Sequence, residues 1–232
     1  MAKATYYLTP NASGTAFMGT GYTPDGTIPK SAIPCTQAQA QNFQAYVPSN
    51  GEIVAAPDAV LLDQAQAEQK SVITQGYNIA TDYVPVTING TTYQVDNTAG
   101  KQALNLSLTI TANAMLNSPA WVADTDYSAG AYCSGSGVIL FCSASGKSGT
   151  SAPTPPTTFG TPVTDGTAEW ELLGRKVYLQ GGSFVYMTPQ QIMSAFQQGE
   201  LYLHQMSNQL ESLIAQINAA QTSGAVAAIV WP

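Results

Sequence analysis

The chain has 232 residues, a formal net charge of −7, one His, three Cys and 9% charged residues, against roughly 25% in an average soluble domain. Seven basic residues spread thinly (Lys3, Lys30, Lys70, Lys101, Lys147, Arg175, Lys176) cannot build a phosphate-tracking surface, which excludes nucleic acid as a partner. No apolar run reaches the roughly 18 residues of a membrane span, and 44% hydrophobic residues are too many for a disordered acidic tail. Polarity comes from amides and hydroxyls: the 19 Gln outnumber the 14 carboxylates. The start, MAKATYYLTP, lacks the apolar core of a secretory signal.

The first segment, to Pro57, is loop-rich and carries Tyr6, Tyr7, Phe17 and Tyr22 among Gly, Thr and Pro, which predicts short strands joined by turns. Thr36 and Gln39 stand in capping-box spacing, and Ala40, Phe43 and Val47 then share one face of a helix about ten residues long. Ile53 and Val54 resume an extended run. A second helix is predicted over 58–75, with Asp58 at its start, a thin face of Val60, Leu61, Ala65 and Val72, and Gly76 as its left-handed terminator. So thin a stripe on a Gln/Ala-rich helix suits a linker or strut.

Asn89-Gly90 between apolar-alternating runs predicts a hairpin with a two-residue primed turn. The next stretch is ambiguous. Leu104, Leu106, Leu108 and Ile110 alternate like a strand, yet Ala103, Leu104, Leu108, Ala112 and Met115 fit a helix face, with Asn97 as a cap. The C-terminal half resolves it by analogy. There Val177–Leu179 and Phe184–Met187 flank Gly181-Gly182 and run into Thr188-Pro189-Gln190-Gln191, a cap, a first-turn Pro and a closing Gln. Hairpin-then-helix thus occurs twice, and 98–117 is read as helix. The last helix carries a heptad seam, Ile192, Phe196, Gly199, Leu203, Met206, Leu210, Leu213 and Ile217. Self-association and packing on its own domain both fit it.

Between the two units lies an insertion over 120–174, rich in Ser, Thr, Gly and Pro and punctuated by Trp121, Tyr127, Tyr132, Phe141 and Trp170. It predicts four or five short strands whose few large rings make most of the core, with the two ends of the insert side by side. Four loop residues, Ser134 to Gly137, would set Cys133 opposite Val138, which disfavours a Cys133–Cys142 bridge; three buried thiols are expected. The whole is an α+β fold. It comprises a small α/β segment (1–57), a linker helix (58–76), a first hairpin–helix half (77–119), the small all-β module (120–174) and a second half with the long C-terminal helix (175–232).

Catalysis finds little support. His204 has only Glu200 within a helical turn, no GxSxG elbow exists, and the carboxylate pairs Asp124/Asp126 and Glu169/Glu171 sit in a module too small to wall a cleft. Asp165-Gly166-Thr167 is a turn signal. Gly146-Lys147-Ser148-Gly149 lacks the spacing of a phosphate loop. The Cys and His are too few for a metal site, and no cofactor is expected. Trp121, Tyr127, Tyr132 and Trp170 are either a sugar-stacking set or the core of the module.

Three stretches resemble known families. PAW-x5-Y-x2-G (Pro119, Ala120, Trp121, Tyr127, Gly130) with SGTSAPTPPTTFGTPVTDGTAEWELL resembles a small module of tailed-phage structural proteins, distantly similar to chitin-binding-type carbohydrate modules. Those relatives carry exposed aromatics after the second strand, where this chain has Phe141-Cys142-Ser143-Ala144-Ser145. The flanking halves, with VPVTINGTTYQVD, MTPQQI and AVAAIVW, resemble a phage tail-fibre-associated domain of unknown function. YYLTP…GTIPKSAIPCTQAQAQNFQAY…GEIVAAPDAVLL is similar to tail-fibre assembly proteins. The resemblance implies a virion tail-fibre or baseplate protein, made in the cytoplasm of a host bacterium, without membrane insertion. Its implied partners are other tail and fibre proteins and a host-surface glycan, in a homotrimer on fibre analogy. An assembly chaperone at the fibre tip is the alternative.

Overall fold

A computed structural model describes residues 5–232; part of the N-terminal reading, Lys3 included, lies outside the described residues. The fold is mixed α+β, with small antiparallel sheets and, among the described residues, five α-helices. It divides into two compact units, one built from the described residues up to Ile73 with Ser212–Pro232, the other from Thr74–Glu211.

In the first unit, β1 (Thr5–Pro10) lies between β2 (Phe17–Thr23) and β3 (Ile33–Cys35). The capping box forms as its spacing predicts. The Gln39 amide N–H donates to Thr36 Oγ1 at 3.1 Å, and Gln39 Oε1 accepts from the Thr36 N–H at 2.9 Å. The helix it starts is shorter than predicted. α1 covers only Gln37–Gln41, Phe43–Ala45 tighten into a 3₁₀ turn, and Val47 belongs to a strand, β4 (Tyr46–Ser49), paired with β5 (Glu52–Ala55). Asn42, poor in helix interiors, stands at the break with φ −128°.

The second helix, α2 (Asp58–Asp82), runs 25 residues and does not stop at Gly76. Nothing after Gly76 opposes the helix until the β-branched and Pro-containing run from Tyr83, so one glycine only weakens it. Its buried residue is Ile73, while Val72 is exposed. Within the first unit, Gln66 Nε2 donates to the carbonyls of Ile217 (3.0 Å) and Ala220 (3.2 Å), and Gln69 Nε2 donates to that of Ile229. These amides satisfy orphan carbonyls at a helix end and just beyond it.

The second unit holds the first hairpin–helix half and the second as far as Glu211. β6 (Tyr83–Ile88) and β7 (Thr91–Asp96) pair in register about Asn89 (φ 52°) and Gly90 (φ 78°), the primed turn the dipeptide demands. α3 (Ala99–Leu116) follows, as the analogy between halves predicts; its N-cap is Thr98, and Asn97 instead donates Nδ2 to the Thr81 carbonyl at 3.1 Å. Leu108 packs on the unit's core and Ala112 and Met115 are buried, while Leu106 and Ile110 are exposed. The strand-like alternation is the signature of a helix apolar on more than one face.

In the second half, β14 (Arg175–Tyr178) and β15 (Phe184–Met187) pair and lead into α4 (Pro189–Ala219). The Gln191 N–H donates to Thr188 Oγ1 (3.2 Å) and Gln191 Oε1 accepts from the Thr188 N–H (2.9 Å). The halves share one core: Val84, Val86, Ile88, Val95 and Ala112 from the first meet Val177, Met187 and Ile192 from the second. An antiparallel bridge joins Val95 to Leu179. A last short helix, α5 (Ser223–Ala227), closes the first unit, capped by Thr222.

The insert has six strands rather than four or five. β8 (Asp126–Tyr127) pairs with β11 (Gly146–Lys147), while β9 (Tyr132–Gly135), β10 (Val138–Ala144), β12 (Val163–Asp165) and β13 (Ala168–Leu172) form a sheet ordered β12-β13-β10-β9. The β9–β10 turn is two residues, Ser136 (φ 50°) and Gly137 (φ 81°), so Cys133 faces Leu140 rather than Val138. Both module cysteines are free and buried. The ends of the insert are not side by side. Ser134 of β9 binds both Pro119 and Trp121, its partner Ile139 accepts the Leu173 N–H, and β9 and β10 lie between entry and exit.

Candidate functional site

The two faces of the module sheet follow from strand alternation. On one, Cys133, Leu140, Cys142, Ala168 and Trp170 are buried, with Trp121 and Tyr127 packed against them. On the other, Tyr132 and Phe141, whose rings are 5.6 Å apart, close with Ile139 and Leu173 over Met115 and Leu116 of α3. The four predicted aromatics are therefore split: three in the module's own core and Tyr132 in the seam that binds the module to α3. Trp170 is fully buried, and Tyr127 meets it edge-on at 4.7 Å.

The hub of the first face is Asp165, which in the sequence shows only a turn signal. Gly166 (φ 64°) does make that turn, but the carboxylate points inward. Its Oδ2 accepts the indole N–H of Trp121 (2.9 Å) and of Trp170 (3.1 Å), and its Oδ1 accepts the Gly149 N–H (2.8 Å). Three donors hold one buried carboxylate, so charge-assisted hydrogen bonds stand in for a cation. Gly146 of β11 and Gly166 of the β12–β13 turn bring that strand and turn into contact: a Cβ on either would stand 2.2 or 2.3 Å from a carbonyl oxygen, of Thr167 and Lys147 respectively. Burial first, then the neighbouring Cys142 and Asp165 charges, pushes the Cys133 thiol up to about 11, so it is neutral and unreactive at ordinary pH. Ser148, from the Gly-Lys-Ser-Gly run, is also structural: its hydroxyl donates to the Val122 carbonyl at 2.8 Å and accepts the Thr125 N–H at 3.0 Å.

The seam of α4 divides along its length. Ile192 is buried in the second unit's core, and Leu203 packs beside it. Phe196 is 37% exposed, Met206, Leu210 and Leu213 are half-buried, and Ile217 is buried within the first unit. Beside Phe196 opens an apolar groove of about 440 Å³, lined by Val84 and Val86 of the first hairpin, Leu106 and Leu108 of α3, and Phe196 and Leu203 of α4. The Gln198 amide on α4 both donates to and accepts from the backbone of Thr87, at 3.1 and 2.8 Å. His204 is exposed, with Nε2 3.2 Å from Asn208 Nδ2.

Among the described residues no three His, Cys, Asp or Glu side chains converge to hold a metal ion, and no helix is long and apolar enough to cross a membrane. Asp124 forms an exposed ion pair with Lys147 at 3.6 Å. No family model, no curated protein and no solved structure matches the chain.

Proposed function

We propose that the chain is a structural protein of a phage tail fibre or baseplate, contributing to fibre attachment or host-surface recognition without catalysing a reaction. The observation that supports it is the inserted module, a separately cored β-sheet carried between two halves that share one core. Such a plan suits a part that holds on with one region and presents another. The open groove beside Phe196 supports the attachment half of the reading, since a site lined mainly by apolar side chains, with Asn97, Asn105 and Glu200 among the polar ones, suits a largely apolar segment of a neighbouring fibre protein. The half-buried run Met206, Leu210, Leu213 suits a homotrimer. Antibody labelling of purified particles tests the assignment; the chain should be found on the mature tail, and its absence from virions overturns it. The N-terminal stretch, similar to tail-fibre assembly proteins, favours a second reading. A chaperone would raise the yield of soluble fibre on co-expression and be missing from the particle.

A further inference from the structure

The outer face of the second hairpin collects aromatic rings and ammonium groups in one row. Alternation along β14 and β15 turns Arg175, Val177, Val185 and Met187 inward and leaves Lys176, Tyr178, Phe184 and Tyr186 on the other side. Phe184 and Tyr186 are 47% and 42% exposed, with ring centroids 5.7 Å apart and planes at 88°. Phe159, from the module, extends the row to within 5.6 Å of Tyr186. It is seated there by Gly174, where a Cβ would stand 2.4 Å from the Phe159 ring. Lys176 Nζ lies 4.4 Å from the Phe184 ring centre and 6.0 Å from that of Tyr186, and Lys101 Nζ lies 3.9 Å from that of Tyr178.

Cation–π contact holds both ammonium groups against the rings, and neither lysine forms an ion pair among the described residues. A chain of net charge −7 with only seven basic residues thus sets two unpaired cations along a single exposed aromatic row. Rings alone would suit any apolar partner. The unpaired ammonium groups call for an anion beside the stacked group, and a sugar ring bearing a carboxylate supplies both: C–H faces for the aromatics and an oxyanion for Nζ.

We propose that the row formed by Phe159, Lys176, Tyr178, Phe184 and Tyr186, with Lys101 at its end, binds an acidic glycan of the uronic-acid type. This deepens the host-recognition reading and rests on it for the glycan's biological source only. Titration of the purified full chain with oligogalacturonate and oligomannuronate, followed by calorimetry, measures the binding itself. Saturable binding of at least one is expected, weaker by about tenfold, one step of affinity, for the fully methyl-esterified chain and for Lys176→Gln. It should be lost in Phe184→Ala, whose exposed position leaves the fold intact by circular dichroism. The proposal is overturned by equal binding of the ester, by no binding of either acidic chain, or by full binding in folded Phe184→Ala and Tyr186→Ala. A change in sedimentation mass in those variants, with no effect on sugar binding, makes the face a contact between copies and overturns it as well. A failed titration leaves the virion assignment standing, and absence from virions leaves the titration standing.

Discussion

Asp165 shows how much one side chain can hold in a small module. Its carboxylate is the acceptor for two indole N–H groups and one backbone N–H, all of which lose their partner at once in Asp165→Ala. Each buried donor left alone costs about 1–3 kcal/mol. Urea unfolding followed by tryptophan emission should therefore show a loss of about 3 kcal/mol, with the module melting first. Cys133 gives the second residue-level expectation. The unfolded thiol ionises near its ordinary value of 9.0 and the folded one at about 11. Stability from this group is complete below pH 9 and falls as pH rises from 9 towards 11, because the unfolded chain loses its proton first. Denaturation midpoints across that window should decline less steeply in Cys133→Ala. None of this was legible in Asp165-Gly166, where the turn signal is real and hides a carboxylate aimed inward. Burial of an acid between Trp170, five residues on, and Trp121, 44 residues back, is a tertiary fact.

Elements were legible wherever a local backbone requirement met its residue. Asn89-Gly90 demands positive φ twice and obtains it, and Thr36/Gln39 and Thr188/Gln191 close reciprocal boxes. Thr188→Ala removes one such bond at the start of α4 and should lower stability by about 1 kcal/mol in thermal unfolding. Lengths were less legible. Gly76 suits the left-handed position that ends a helix, but α2 runs on to Asp82. Its Gln side chains bind carbonyls far away in sequence, a reward that no periodicity displays. The seam of α4 was plain in the sequence, whereas the division of its positions between core, groove and half-exposed surface depends on which neighbours arrive. The aromatic row on β14–β15 could have been found by alternation: Phe184 and Tyr186 share a face that Val185 and Met187 do not.

At the scale of the molecule, the charge shortage that defines the sequence has several structural uses. Amides bind helix-end carbonyls through Gln66 and Gln69 and edge backbone through Gln198. Leu210→Asp places a carboxylate in the half-buried run of α4 and is expected to reduce a trimer to monomers by light scattering while helicity persists; a monomeric native chain rejects the trimer. Replacement of 121–173 by a flexible Gly/Ser linker of about six residues, enough to span the two ends, should yield a folded remainder of lower melting temperature, because Met115 and Leu116 lose the cover of Ile139, Tyr132, Phe141 and Leu173. The connection of that module has a consequence for how such a chain could change. Entry at Ala120 and exit at Leu173 lie on one row of the sheet, three strand spacings or about 14 Å apart. The flanking halves therefore constrain a replacement by the distance between its two ends, by an apolar patch to cover Met115, and by the contacts that Phe159 makes with Tyr186 and Gly137 with Gln190. A gene segment encoding a different small sheet with those properties could be exchanged as a cassette without redesigning the core that the two halves share.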